Sequence, residues 1–345
     1  MGYNQNHTWL QFSLLFFFRF LGLNFASKSN HFPYLFFIFD FICRKAFRYL
    51  QSIIDGIDVL CFFKNQIKLL KGITQNKPEK KMSDSSSENL ILVSREPDGI
   101  ATVTINRPAS LNSLSQLMIT DLARAFKDLG RDESVRVIIL SGSGRAFCSG
   151  LDLTAAEQVF KGGMKDKEYD PVFQMEQCPK PIIGAINGVA VTAGFEIALA
   201  CDILVAAKGT NFMDTHTRFG IVPSWGLSQK LPRIIGPNKA REVSLTAMPF
   251  TSEEAQKLGF VNYVVEGTEL LKKAREIARV VAHNNHDIVI RYKSLINDGF
   301  KLDLHQALAL EKERAYKYYD KMTTEQFKKM QEFVAVRSSK KSSKL

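Results

Sequence analysis

Residues 181–202 read PIIGAINGVAVTAGFEIALACD, and this stretch decides the fold. Pro181 to Ile186 is a short apolar run closed by Asn187-Gly188, the pattern of a buried strand that ends in a tight turn. Thr192-Ala193-Gly194 are small enough to bring main chain against a ligand, and Ile197, Ala198, Leu199 and Ala200 favour a helix behind them. The first amides of a helix lack intrahelical acceptors and carry the positive end of its dipole, so a helix that begins in a pocket suits a developing oxyanion. Glu196 falls in the first turn, a single carboxylate in an apolar, small-residue run. Desolvation there raises its pKa and fits it to proton transfer, although a plain N-terminal carboxylate favoured by the dipole has the same pattern.

A second loop, Ser141 to Asp152 (SGSGRAFCSGLD), follows the apolar strand Val135 to Leu140. The small pair Ser149-Gly150 allows main chain to approach a substrate, and a helix is expected to start near Asp152. Two strand-to-helix turns that both present free N–H groups can make a two-donor oxyanion hole, in which loss of one donor costs about 2.7 to 4 kcal/mol of barrier. Cys148 lies beside this loop without a matched base in sequence and reads as a small packing residue.

The segments GRAFCSGLDL (144–153), INGVAVTAGFEIALACDI (186–203) and FGIVPSWG (219–226) resemble the enoyl-CoA hydratase/isomerase (crotonase) family in motif and in order, from about Leu90 to the C-terminus. The resemblance implies an α/β fold, a crotonase-like spiral of ββα units over residues 88–280 with a C-terminal helical region at 281–336, and homotrimers or homohexamers. It also implies a thioester substrate. By position, the oxyanion donors are the backbone N–H groups of Ser149 and Ala193, and the acyl-CoA contacts fall on Cys148, Ser149, Gly150, Leu151, Asp152, Ala193 and Gly194. Arg107, in the Asn106-Arg107-Pro108 turn, reads equally as a CoA-phosphate contact or as a structural arginine. Thr154 to Asp170, polar and irregular, would wall the acyl pocket.

One position departs from the family. Its hydratases carry a second Glu four residues before the glycine that corresponds to Gly220, and this chain has His216 there, with Asp214 and Thr215 beside it. An imidazole can give or take a proton near neutral pH. Three readings follow: hydration of a 2-trans-enoyl-CoA to the 3-hydroxyacyl-CoA of fatty-acid β-oxidation, with Glu196 activating water and His216 assisting proton delivery; 3-enoyl to 2-enoyl isomerisation with Glu196 as the single base; or an acyl-CoA-binding homologue without catalysis. A rim histidine with no chemical task is the plain alternative for His216.

The formal charge of +11 suggests nucleic acid until it is divided. Residues 1–81 hold 11 Lys/Arg against 4 Asp/Glu, a net +7; the remaining 264 residues hold 35 against 31, only +4. No nucleic-acid partner is expected, and a mildly basic enzyme suits an anionic CoA ester. Residues 1–81 also hold 14 of the 26 Phe, in runs interrupted by Arg19 and Asp40. Neither run approaches the roughly 20 apolar residues of a membrane span, and the segment is expected to stand apart from the folded enzyme, with translation starting at Met82. The five Cys have neither metal-ligand nor secreted-disulfide spacing. No phosphate-binding or dinucleotide motif is present, so no metal or redox cofactor is expected, and coenzyme A enters as part of the substrate. Residues 337–345 form a polar tail that ends in Ser343-Lys344-Leu345, a peroxisomal address read by an import receptor.

Overall fold

The computed structural model describes residues 89–154, 156–161, 166–328 and 330–332. These belong to a compact unit that spans Ser85–Leu345. The Phe-rich residues 1–81 and the tail 337–345, with the expectations placed on them, lie outside the described residues.

Glu96 to Gly99 forms a turn, with Gly99 at φ 82° and the Glu96 N–H bonded to the Ile100 carbonyl at 2.8 Å. It joins β1 (Ile91–Arg95) antiparallel to β2 (Ile100–Ile105). From β2 the sheet continues in parallel through β3 (Val137–Gly142), β4 (Ile182–Ile186), β6 (Ile203–Ala207) and β9 (Tyr263–Val265). Alternation with period two divides each strand between two cores. Ile138 and Leu140 face a large core that includes Met118, Leu122 and Phe126 of α1 (Gln116–Arg131); Val137 and Ile139 face the opposite layer. That layer is α9 (Leu270–His283), whose Ala274, Ala278 and Ala282 recur every four residues, so one small-residue stripe lies on the sheet.

A second sheet holds β5 (Val189–Val191) parallel to β7 (Asn211–Met213), which pairs antiparallel with β8 (Phe250–Thr251). Two turns of the chain therefore run from a long strand in the first sheet to a short strand in the second and then into a helix. β4, β5 and α4 (Ala193–Leu199) make one such unit; β6, β7 and the single-turn α5 (His216–Phe219) make the next. This is the expected spiral of ββα units. Phe195, Phe212, Phe250 and Phe260, with ring centroids 5.0–6.4 Å apart, pack α4 against the second sheet.

Three expectations change. The chain does not pass from Asn187-Gly188 directly into the helix, because β5 intervenes, and β7 opens the stretch that leads to His216. Strands of three residues are too short to show alternation in sequence. The helix expected near Asp152 is α2 (Ala156–Lys161), a few residues on; ahead of it the Asp152 carboxylate accepts from the Thr154 N–H at 3.1 Å and hydroxyl at 2.7 Å, closing a turn. The expected boundary at residue 280 falls inside α9, which is part of the core; the outer helical region is α10 (His286–Gly299) and α11 (Leu304–Tyr319), neither of which buries a residue.

The spiral closes through glycines. A Cβ on Gly194 would lie 2.4 Å from the Cys148 carbonyl oxygen, closer than real Cβ contacts come, whereas one on Gly267 meets nothing within 4 Å. Gly194→Ala is therefore expected to lower stability by about 1 to 3 kcal/mol, and Gly267→Ala to stay within about 0.5 kcal/mol. Urea unfolding of the two variants beside the parent measures both.

Candidate active site

α4 owes its position to Thr192, which caps it at φ 49°, a left-handed value that a β-branched residue adopts only under constraint. Three contacts supply the constraint. The Thr192 N–H donates to the Met213 carbonyl at 2.8 Å, the Thr215 N–H donates to the Thr192 hydroxyl at 3.3 Å, and the two threonine hydroxyls bond to one another. These bonds fix the start of α4 beside the segment that carries His216. The Ala193, Gly194 and Phe195 amides precede the first intrahelical bond, which Glu196 donates to the Thr192 carbonyl at 3.0 Å.

Glu196 is 3% exposed. Its Oε1 accepts from the Trp225 N–H at 2.9 Å and the Leu227 N–H at 3.4 Å, both from the loop entering α6 (Leu227–Ile235), and its Oε2 lies 3.8 Å from His216 Nε2. Burial pushes the Glu196 carboxyl above its usual value, against the pull of the neighbouring imidazole and the two amides.

His216, 5% exposed, opens α5, which Gly220 stops at φ 65°. Its Nδ1 is 2.6 Å from Asp214 Oδ1, and the same oxygen accepts the His216 backbone N–H at 3.1 Å. Burial works against charge on Asp214, but the hydrogen bonds from His216 and Ser244 outweigh it and its pKa lies below the usual carboxylate value. An ionised carboxylate only accepts, so Nδ1 is the protonated nitrogen and Nε2 faces Glu196. Asp214 is the site residue that sequence reasoning left without a role; its signal is the Asp-x-His spacing.

Leu151, Phe160, Thr192, Ala193, Glu196, His216, Ile221 and Trp225 are among the residues around one cleft. The Trp225 indole Nε1 is buried without a partner, a donor left over at the cleft wall. Phe160 comes from α2, inside the segment expected to wall the acyl pocket.

The first loop is placed differently from expectation. Leu111 and Asn112 are both left-handed, at φ 52° and 58°, so the turn doubles back and offers the Leu111 carbonyl to the Ser149 N–H at 3.0 Å. Ser149 therefore has a protein acceptor and does not line the cleft; Ala193 and Leu151 do. Gly150, at φ 99°, lets the loop pass the Val191 carbonyl, which a Cβ would approach to 3.1 Å. The small size of Gly194 serves contact with Cys148, not with a ligand. Cys148 is fully buried, its thiol pushed up to about 12 by that burial, and its main chain bridges Ala190. Asp152 is held away from the cleft by Arg107, 2.6 Å away, which also bonds Ser113; that guanidinium keeps the Asp152 carboxyl below its usual value. Arg107 is thus a clamp on the loop. Among the described residues no group of His, Cys, Asp and Glu is arranged to hold a metal ion.

Comparison with known proteins meets this geometry. The family model Enoyl-CoA hydratase/isomerase matches residues 95–341. The chain is 69% identical over 265 residues to a protein of Arabidopsis thaliana named probable enoyl-CoA hydratase 1, peroxisomal, covering 76% of this chain and 100% of that one. It is 35% identical over 230 residues to the short-chain-enoyl-CoA hydratase of Clostridium acetobutylicum, 65% of this chain and 87% of that one. The crystal structure of an enoyl-CoA hydratase from Bacillus anthracis superposes with a TM-score of 0.66 at 33% identity, over 72% of this chain and 96% of that chain. Motif order, fold and relatives agree: the chain belongs to the enoyl-CoA hydratase/isomerase family.

Proposed function

We propose that Glu196 and His216 together add water across the 2,3 double bond of an enoyl thioester. The protein is an enoyl-CoA hydratase of fatty-acid β-oxidation; the similarity to the Arabidopsis hydratase at 69% identity carries that reading. The same relative is named peroxisomal, and this chain ends in Ser343-Lys344-Leu345. Its location is the peroxisome, and an import receptor that reads the tripeptide is the proposed partner there.

The 3.8 Å between Glu196 Oε2 and His216 Nε2 exceeds a direct hydrogen bond. A water about 2.8 Å from each atom fits at the apex of that pair. Glu196 takes a proton from this water, its hydroxyl adds to C3, the π bond opens towards C2 and negative charge collects on the thioester oxygen. The Ala193 N–H, at the head of α4, receives that charge. The His216 imidazolium delivers its Nε2 proton to C2, and the proton left on Glu196 returns to Nε2 after product departs. One water is added and no oxidation state changes overall, so this reading assigns no cofactor beyond the CoA of the substrate. An isomerase acting through Glu196 alone would leave His216 without a task.

α10 and α11 supply the proposed assembly. They pack on one another through Arg314, which bonds Ser294 and Asp298 at 2.9 Å, while Tyr292, Phe300, Leu304 and Tyr316 stay 62–75% exposed. So much apolar surface on one region is the mark of an interface, here between copies in a trimer or hexamer. Sedimentation of the purified protein is expected to give one of these; a monomer at micromolar concentration would remove the assembly.

With crotonyl-CoA, loss of the enoyl absorbance on hydration is expected from the purified protein, and Glu196→Gln should lower kcat by about 10²- to 10⁴-fold. Migration of a 3-enoyl double bond without hydration would replace this function with isomerisation.

The same variant has a stability signature. Because the folded state holds the Glu196 proton more tightly than an unfolded chain does, Glu196 favours folding at low pH. That contribution fades as pH rises from the ordinary 4.5 through the raised value. Glu196→Gln should melt higher than the parent near pH 7, with the difference closing below about pH 4.5 in calorimetric scans.

A further inference from the structure

We infer that Asp214 is a positioning residue for catalysis: its carboxylate, 2.6 Å from His216 Nδ1, holds the imidazole with Nε2 towards Glu196. The inference deepens the reading of Glu196 and His216 as the acid–base pair and rests on it.

The geometry is over-determined in a way that a chance contact is not. One carboxylate oxygen accepts both the ring Nδ1–H and the backbone N–H of the same residue, at 2.6 and 3.1 Å, so ring and main chain are oriented together. Asp214 is 2% exposed and His216 5%, which keeps water from competing for either bond. A buried carboxylate with no hydrogen-bonded partner would be costly; the ring and backbone N–H groups of His216 supply that partner. Two carboxylates then flank one ring, with Asp214 on Nδ1 and Glu196 opposite Nε2.

The charged groups around His216 are few. Asp214 and Glu196 face it directly. Arg218, on the same helical turn, bonds the Ala247 carbonyl at 2.9 Å. α7 (Pro237–Thr246), packed against α5, contributes Ser244 to Asp214, while its Lys239 and Glu242 pair with each other at 3.1 Å and its Arg241 bonds Asn238. The Asp214 charge therefore has no nearby substitute.

The step balances without any additional reactant. The Nε2–H bond breaks as the C2–H bond forms, the imidazole becomes neutral with Nδ1–H still donated to Asp214, and Asp214 keeps no proton. Glu196, protonated by the attacking water, later restores Nε2–H. Asp214 acts only through His216: it sets which ring nitrogen carries the reactive proton and where that nitrogen points.

Asp214→Asn separates charge from shape, because an Asn oxygen can still accept both N–H groups. In this variant kcat for crotonyl-CoA hydration is expected to fall about 10- to 100-fold, and the alkaline limb of the kcat–pH profile to move down by about 1 to 3 pH units. Asp214→Glu, which restores the charge, should return the limb towards the parent. An Asp214→Asn enzyme that keeps its melting temperature and sedimentation but shows an unmoved alkaline limb overturns the inference, whatever its rate. If Asp214→Asn does not fold, proton spectra of the parent and His216→Asn decide: a strongly downfield Nδ1 proton present only in the parent supports the pairing, and its absence refutes it. His216→Asn also separates the two failures. Full activity in His216→Asn ends the acid–base reading itself, whereas an inactive His216→Asn with an unmoved limb in Asp214→Asn ends only the role of Asp214.

Discussion

A carboxylate 3% exposed inside an apolar interior is the constraint on which the rest of the site depends. Glu196 loses water on folding, and an ion without compensation there would neutralise itself instead. Compensation comes from two directions. The Trp225 and Leu227 amides bond one oxygen, and His216 stands 3.8 Å from the other. Three segments distant in sequence, at 192–196, 214–216 and 225–227, must therefore arrive at one point. The Thr192–Thr215 bonds join the first two, and the third is carried by α6, whose Leu227 and Leu231 are buried in the same core as Phe195 of α4.

The ββα spiral follows from that convergence. Each unit delivers a short strand of the second sheet and then the head of a helix, so successive turns of the chain present successive residues to one cleft: Ala193 and Glu196 from one unit, His216 from the next. Gly188 and Gly194 let the units close. A Cβ at Gly188 would come within 1.9 Å of the Arg145 carbonyl, so loop and turn touch through main chain alone. Gly194, read in sequence as a point of ligand approach, and Gly188, read as a turn, both serve the approach of protein to protein, and the cleft opens beside them.

Long elements were legible because their pattern is statistical. The Ser115 cap on α1, the Thr251–Glu254 capping box at the start of α8 (Ser252–Lys257) and the alternation in β2 and β3 stand where the residues imply. Glu196 was legible as a lone acid in an apolar run, and His216 as a departure at a known position. The three-residue strands were not, since pairing and not composition makes them strands. Nor was the Ser149–Leu111 bond, which depends on two consecutive left-handed residues that a Leu-Asn pair does not announce. Asp214 was visible as a letter but not as a partner, because whether a carboxylate two residues before a histidine reaches Nδ1 depends on the turn between them.

The exchange of a carboxylate for an imidazole alters the charge balance of the site. Two buried glutamates facing one water repel, so one of them stays protonated and can serve as acid. An imidazole facing Glu196 removes that repulsion and, with it, one of the two carboxylates. Asp214, behind the ring, restores the second carboxylate one imidazole further from the water, so that two carboxylates stand in the site as in the family pattern, with the ring between them. On this account Asp214 and His216 form one functional unit. In the proposed mechanism, the position that looks in sequence like the loss of a catalytic acid is one half of the Asp214–His216 pair.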